Sequence, residues 1–224
     1  MKLLRIVRRW LLPLLALAVP GCAATHGTQG GGRGSVVRGT VTSTAPAAPG
    51  AAANGSRRDA IVYLDAMQAS ALGRHPAPTT KVVSVGRRFE PRVVAVSVGS
   101  TVRFENRDIL YHSVFSVSPI RRFDTGLFGP QHAKPIVFDQ PGIVELHCGI
   151  DDAVGYVVVV PHAVFARADD DGTFSLGPLP RGTWTVRAWH PAWGTANATV
   201  EIGSRAPSVA LRFGGVRPAT SALP

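Results

Sequence analysis

The chain has 224 residues, of which 45% are hydrophobic, 17% charged and 7% aromatic. This composition is too apolar for a disordered protein, and 24 glycines with 18 prolines interrupt the chain too often for a helical bundle or a coiled coil. The formal net charge is +10, and four of the basic residues lie within the first ten positions. The other lysines and arginines are scattered and form no run interleaved with aromatic residues, which argues against nucleic-acid binding.

Residues 1–21 have the pattern of a secretory signal peptide. A basic segment precedes the apolar run Leu11–Val19, which is too short to span a bilayer. The sequence Val19-Pro20-Gly21-Cys22 resembles the bacterial lipobox, in which the cysteine is acylated, and ordinary cleavage near Ala23 is the alternative. We expect an exported protein of the periplasm or cell envelope, anchored to the membrane by lipid at Cys22.

Short apolar-polar alternations separated by Gly and Pro favour β-strands along the rest of the chain, and no helical pattern longer than two turns follows the leader. Residues 22–34 are predicted to be a flexible tether, and residues 214–224 a disordered tail. Strands at this spacing are typical of all-β sandwiches and Greek-key barrels. The predicted strands are 35–42, 61–64, 81–85, 92–98, 101–105, 111–117, 135–138, 143–148, 155–160, 173–176, 183–190, 197–202 and 208–213.

Residues 89–160 carry several separate motifs in a characteristic order. They are Phe89–Pro91 before a strand, the Asn106–Asp108 turn, Tyr111–Ser116, Gly142–Cys148 and Gly155–Val159. This order resembles the cupredoxins, most closely the bacterial plastocyanin-like group often labelled as methylamine-utilisation proteins. The resemblance implies a Greek-key cupredoxin-like sandwich that binds copper and transfers electrons.

The same resemblance implies a set of metal ligands. In the family, a His after the Asn-x-Asp turn and a Cys at the end of a late strand bind copper, and His112 and Cys148 match these positions. The second His and the axial Met come from a Cys-x-x-His-x-x-Met loop, but here Asp151 and Val154 stand at those positions. The type 1 copper site is therefore incomplete. Three interpretations stay open. The site binds copper in an altered form, or it binds zinc, which accepts Cys, His and Asp ligands, or it is a relic that binds no metal.

The other histidines near this segment are poor replacements for the missing ligand. His147 neighbours Cys148 on a strand, where successive side chains point to opposite faces. His132 lies in a Gly/Pro loop and His162 follows the last strand of the segment. Asp151 is the remaining candidate for the missing ligand. The alternative is that Asp151 belongs to a solvated acidic turn.

Residues 162–213 carry a second resemblance. Asp171-Gly172 has the sequence of a hairpin turn, and residues 180–184 fit a Pro-x-Gly-x-aromatic motif that begins the next strand. These features resemble the small transthyretin-like, carboxypeptidase-regulatory type of β-sandwich. Gly39–Val41 and Ala60–Leu64 resemble its first strands. The resemblance implies a module built from residues 35–66 and 162–213, with the cupredoxin-like domain, residues 80–161, inserted between them.

Two minor features favour structure over binding. Asp169–Gly172 lacks the spacing of a calcium loop and is predicted to be a turn. Trp184, Trp189 and Trp193 are predicted to anchor the core rather than to stack on sugars.

Motifs of hydrolases and transferases are missing, so we expect no enzyme. Two functions stay open: metal binding with a redox partner in the envelope, and a structural or adhesive module that binds a partner without metal.

Overall fold

A computed structural model describes residues 34–44, 56–65, 68, 72, 79–203 and 207–214. The predicted leader, the tether with Cys22 except for residue 34, and all of the tail except residue 214 lie outside these residues. No helix among the described residues is long and apolar enough to cross a membrane. Arg57–Asp59 form a 3-10 turn. The strands are β1 Ser35–Ser43, β2 Ile61–Leu64, β3 Thr79–Val85, β4 Arg88–Glu90, β5 Val93–Ser97, β6 Ser100–Asn106, β7 Val114–Ser116, β8 Phe123–Asp124, β9 Ala133–Phe138, β10 Gly142–Cys148, β11 Val154–Val160, β12 Phe165–Arg167, β13 Thr173–Leu179, β14 Gly182–His190, β15 Gly194–Ile202 and β16 Ser208–Phe213.

The predicted all-β class is confirmed, and strands β3 to β11 form the first sandwich. One sheet has the order β5-β11-β10-β7-β8 and the other β4-β3-β6-β9. Alternate residues of β6, such as Val102 and Phe104, point into a shared apolar core with Val144 and Val157 from the facing sheet. Because this alternation has a period of two, it places one face of each sheet inward.

The second sandwich uses strands from both sides of that segment. Its sheets have the orders β13-β1-β16 and β12-β2-β14-β15, so β1 and β2 pair with strands more than a hundred residues later. Val41, Leu176, Val186 and Leu211 lie in its core. Both sandwiches belong to one compact unit. The domain boundaries and the transthyretin-like type of this part stay predictions.

A third apolar cluster joins the two sandwiches. Tyr63 and Trp189 of the second sandwich pack against Tyr156 and Val158 of β11, and the Tyr156 and Trp189 ring centroids are 5.3 Å apart. This contact explains why Val157 to Val160 are all buried: one face of β11 fills the core of its own sandwich, and the other face fills the junction.

A polar contact accompanies this junction. The Arg92 guanidinium lies 3.3 Å from the buried Asp59 carboxylate and 5.9 Å from the centroid of the Tyr156 ring. Burial raises the pKa of Asp59, and the nearby Arg92 and Arg167 charges act against this rise. The junction therefore combines apolar packing with a paired buried charge.

The turn and the tryptophan predictions are confirmed. Gly172 N donates to Asp169 O at 2.9 Å and closes the turn, while the Asp171 carboxylate accepts from Thr173 N. Trp184 and Trp189 are buried, and the partly buried Trp193 ring stacks on His190 with centroids 3.8 Å apart.

The predicted strand 111–117 differs from the structure. Only Val114–Ser116 form a strand, and His112 makes an isolated bridge to Phe128. The Asn106 side chain holds the preceding segment in a loop, because its amide donates to Leu110 O and Phe128 O. Sequence patterns also missed the short strands β4, β8 and β12.

Candidate metal centre

His112 is fixed by the loop between β6 and β7. Its backbone N–H donates to Phe128 O at 3.2 Å, and its carbonyl accepts from Phe128 N at 2.8 Å. The buried Asn106 organises the loop through three hydrogen bonds: its amide donates to Leu110 O and Phe128 O, and its side-chain oxygen accepts from Asp108 N. The imidazole is buried, so its nitrogens meet protein groups rather than bulk water.

Cys148 ends β10, and a tight loop follows it. Cys148 N donates to Ala153 O at 3.2 Å, and the Asp151 carboxylate accepts from Ala153 N at 2.9 Å. Gly149 N donates to the carbonyl and hydroxyl of Ser113, which ties this loop to the residue after His112. The loop thus returns the carboxylate of Asp151 toward the end of the strand.

The structure brings the three predicted ligands together. His112 Nδ1 lies 3.4 Å from Cys148 Sγ and 3.4 Å from Asp151 Oδ2. The ligand atoms all lie within 4.8 Å of one another. Asp151 is therefore part of this cluster rather than a solvated turn residue, since only 5% of its side chain is exposed. That these atoms hold a metal ion stays a prediction.

Sequence reasoning missed a fourth polar group of this site. Asp108 Oδ2 lies 2.9 Å from His112 Nε2, and Asp108 Oδ1 accepts a hydrogen bond from Gly86 N at 2.9 Å. The bond from Gly86 is the largest cause that holds the pKa of Asp108 below its usual value, and the bond with His112 adds to it. The four-residue spacing between Asp108 and His112 was the available signal, but only the folded loop turns the two side chains toward each other.

The histidines at positions 147, 132 and 162 make other contacts. His147 stacks on Phe115 with centroids 5.4 Å apart. His132 Nδ1 donates to Pro130 O, and His162 Nε2 donates to Leu64 O. Among the residues that the structure describes, only His112, Cys148 and Asp151 form a group of three or more that places metal-ligating atoms together.

The cluster lies beside exposed apolar side chains. Ile109 is 90% exposed, and Leu110 and Tyr111 follow it directly before His112. Leu127 precedes the bridging residue Phe128, and Ile150 lies in the loop after Cys148. Val154, at the position of the expected axial Met, is half-buried and carries no donor atom.

Part of the chain is similar to solved structures of cupredoxins. No protein-family model matches the sequence, and no curated protein is significantly similar to it. A reduced tryptophan-to-tyrosine variant of amicyanin has 24% identity and a TM-score of 0.35 over 37% of this chain and 82% of its own. The copper(I) form of a methionine-to-alanine variant of amicyanin has 26% identity and a TM-score of 0.35 over the same shares. The purple cupredoxin from Nitrosopumilus maritimus has 20% identity and a TM-score of 0.33 over 36% of this chain and 99% of its own.

Proposed function

We propose that the protein binds one copper ion between His112, Cys148 and Asp151. The observation that supports this function is the convergence of three ligand atoms of different chemistry, from two separate segments of the chain, within 4.8 Å. Thiolate sulfur and imidazole nitrogen are both good copper ligands. The apolar core beneath Cys148, which includes Val114 and Phe128, shields the sulfur from water.

The donor set fits copper binding better than it fits type 1 electron transfer. A type 1 site combines one thiolate and two imidazoles with a weak axial ligand, a geometry that serves both oxidation states. Here Asp151 supplies a hard carboxylate oxygen in place of the second imidazole, and Val154 supplies no axial donor. When bound, copper supplies a thiolate-bonded redox ion, and the carboxylate favours its divalent state.

A metal titration tests this proposal. The purified full chain, reduced and stripped of metal, is titrated with Cu(II), and the stoichiometry and visible absorption are recorded together. We expect one equivalent of tightly bound copper with a thiolate-to-copper charge-transfer band. The band is expected to vanish in Cys148→Ser and to persist in the control His132→Ala, because the His132 ring is exposed and bonded to Pro130 O. A wild-type protein that takes up no copper contradicts the proposal.

Zinc is the alternative ion for the same donors. Cys, His and Asp are all regular zinc ligands, and a set of three leaves one coordination position open. The same titration with Zn(II) distinguishes the cases, because zinc uptake is colourless. Copper that displaces bound zinc stoichiometrically supports copper as the preferred ion, and failure to displace it supports zinc.

The second candidate function is binding of a partner protein without metal. The exposed apolar residues Ile109, Leu110 and Leu127 favour it, since apolar side chains grouped at a surface are typical of interaction sites. This function predicts the same melting temperature with and without metal. A metal-dependent rise in melting temperature that is lost in His112→Ala and Asp151→Ala counts against it, because a ligand stabilises the state that it binds.

We also propose that the protein is exported and lipid-anchored through Cys22, which depends on the sequence of the leader alone. Cys22→Ser is expected to move the protein from the membrane fraction to the soluble envelope fraction. Incorporation of labelled fatty acid into the wild type but not into this variant checks the modification. Equal distribution of both proteins contradicts acylation at this residue.

A further inference from the structure

We propose that Asp108 is a positioning residue of this centre. Its carboxylate holds His112 in the tautomer with the N–H at Nε2, so that the lone pair of Nδ1 faces Cys148 and Asp151. Its negative charge makes the site select divalent over monovalent ions. This inference rests on the proposed metal-binding function. Asp108 touches none of the three proposed ligands except His112, so it acts through that imidazole.

Two hydrogen bonds fix Asp108, one to its carboxylate and one from its backbone. Its Oδ1 accepts from Gly86 N, in the turn between β3 and β4, at 2.9 Å. Its backbone N–H donates to the Asn106 side chain at 2.9 Å, which fixes the start of the loop. With these two contacts in place, Oδ2 faces His112 Nε2 at 2.9 Å. The carboxylate is therefore oriented by the fold before any ion binds.

Two carboxylates compete for the proton of one imidazole. A neutral imidazole carries one N–H and one lone pair, and a carboxylate accepts hydrogen bonds. Asp108 is 2.9 Å from Nε2, whereas Asp151 is 3.4 Å from Nδ1. The shorter contact favours the N–H at Nε2, which leaves the Nδ1 lone pair free for an ion. Without Asp108, Asp151 would draw the N–H to Nδ1 and block the ligand atom.

Charge gives the second part of the inference. A metal-bound Cys148 thiolate, Asp151 and Asp108 place three negative charges around His112, whose side chain is only 4% exposed. Coulomb interactions are strong where water is excluded, so a divalent ion compensates this charge better than a monovalent one. Replacing a group that hydrogen-bonds a metal-binding histidine typically lowers the metal affinity by about 10- to 100-fold.

The tautomer is measured on the metal-free, reduced full chain by long-range proton–nitrogen NMR of the imidazole. We expect the wild type to show the N–H at Nε2, and Asp108→Ala to move it wholly or partly to Nδ1. Asp108→Asn keeps an acceptor oxygen and is expected to keep the wild-type tautomer. The control Asp152→Asn changes an exposed carboxylate next to the cluster and should leave the tautomer as it is. An unchanged Nε2–H in a folded Asp108→Ala protein overturns the positioning role.

Ion selectivity is measured by competition against chelators for Cu(II), Zn(II) and Cu(I). In Asp108→Asn we expect Cu(II) and Zn(II) affinities to fall by about 10-fold or more, with a loss of less than about 3-fold for Cu(I). Equal losses for all three ions overturn the selectivity. Thermal unfolding of the metal-free variants confirms that each protein is folded.

The two proposals fail in different ways. If the wild type takes up no metal, the proposed function and the selectivity are both wrong, whereas the tautomer measurement still decides the positioning role. If Asp108→Ala binds every ion as the wild type does, the proposed function stands and the inference about Asp108 is wrong.

Discussion

The His112 loop depends on one buried amide. Asn106 is almost fully buried, and its side chain donates to Leu110 O at 2.7 Å and to Phe128 O at 3.1 Å while it accepts from Asp108 N. A buried polar group that loses its partners costs the full desolvation of the groups left behind. The position of His112 is therefore set by a residue that would never touch an ion.

Replacing this amide should weaken both the fold and the site. We expect Asn106→Ala to lower the free energy of unfolding by about 2 to 4 kcal/mol, because two carbonyls and one N–H lose their partners. Urea unfolding measures this change, and the Cu(II) affinity should fall in parallel. The control Asn197→Ala lies on an exposed position of β15 and should cost less than about 0.5 kcal/mol. If Asn106→Ala lowers the free energy of unfolding by no more than the control does, Asn106 does not hold this loop.

His162 gives the protein an acid-sensitive group away from the site. Burial lowers the pKa of His162 below its usual value, while the bond to Leu64 O acts in the opposite direction. Its Nε2–H donates to Leu64 O, and its Nδ1 accepts from Val164 N, so the neutral ring satisfies both partners. A protonated ring would lose the contact with Val164 N.

Stability should therefore fall as the pH drops below about 6.5. In that range the unfolded chain binds a proton at His162 that the folded chain does not, so the free energy of unfolding decreases by at most about 1.4 kcal/mol per pH unit from this group. Denaturant unfolding at pH 7.5 and 5.5 measures the slope. His162→Gln should flatten it, and the exposed control His132→Gln should not. An equal slope in His162→Gln and the wild type would show that other groups cause the acid sensitivity.

At the scale of elements, the turns fix which strands meet. Gly172 closes the turn before β13 with a φ of +86°, and a Cβ at this position would lie 2.7 Å from Val41 O. Two constraints act on the same residue: a left-handed backbone conformation and the close approach of β1. This turn sets the register in which Thr40 pairs with Thr173.

A side chain at Gly172 should disturb this pairing. We expect Gly172→Ala to lower the free energy of unfolding by about 1 to 3 kcal/mol, because it adds backbone strain and a contact with a carbonyl that cannot move aside. Chemical unfolding provides the measurement. Gly203→Ala is the matched control, since no described residue lies within 4 Å of a Cβ there and its φ is not in the left-handed region. Similar small effects in both variants would rule out this role for Gly172.

At the scale of the whole molecule, the junction should make the two sandwiches unfold together. Tyr63, Trp189, Tyr156 and Val158 are buried between them, and Asp59 pairs with Arg92 across the same contact. Neither sandwich keeps this apolar area covered when the other is removed. Cooperative unfolding follows when such an interface is large and apolar.

The chain offers separate probes for the two parts. All four tryptophans lie outside residues 79–160, whereas Cys148 lies inside them. In a Cys22→Ser protein we expect tryptophan fluorescence and the reactivity of the Cys148 thiol to give the same urea midpoint. Trp189→Ala should lower the midpoint by both probes, because it removes about 3 to 5 kcal/mol of packing at the junction. Two separate midpoints in the Cys22→Ser protein would show that the sandwiches unfold independently.

The sequence by itself determined the all-β class, the turn at residues 169–172 and the core role of the tryptophans, because alternation, turn residues and apolar side chains are local properties of the chain. The grouping of His112, Cys148 and Asp151 was expected only from the resemblance to cupredoxins, since His112 and Cys148 lie 36 residues apart and no local pattern joins them. Asp108 and Gly86, or Asp59 and Arg92, meet only because strands distant in sequence pair and pack, and no local pattern encodes that pairing. The same reason explains why the four buried valines of β11 had no interpretation in the sequence: only the tertiary structure decided that both faces of this strand would be covered.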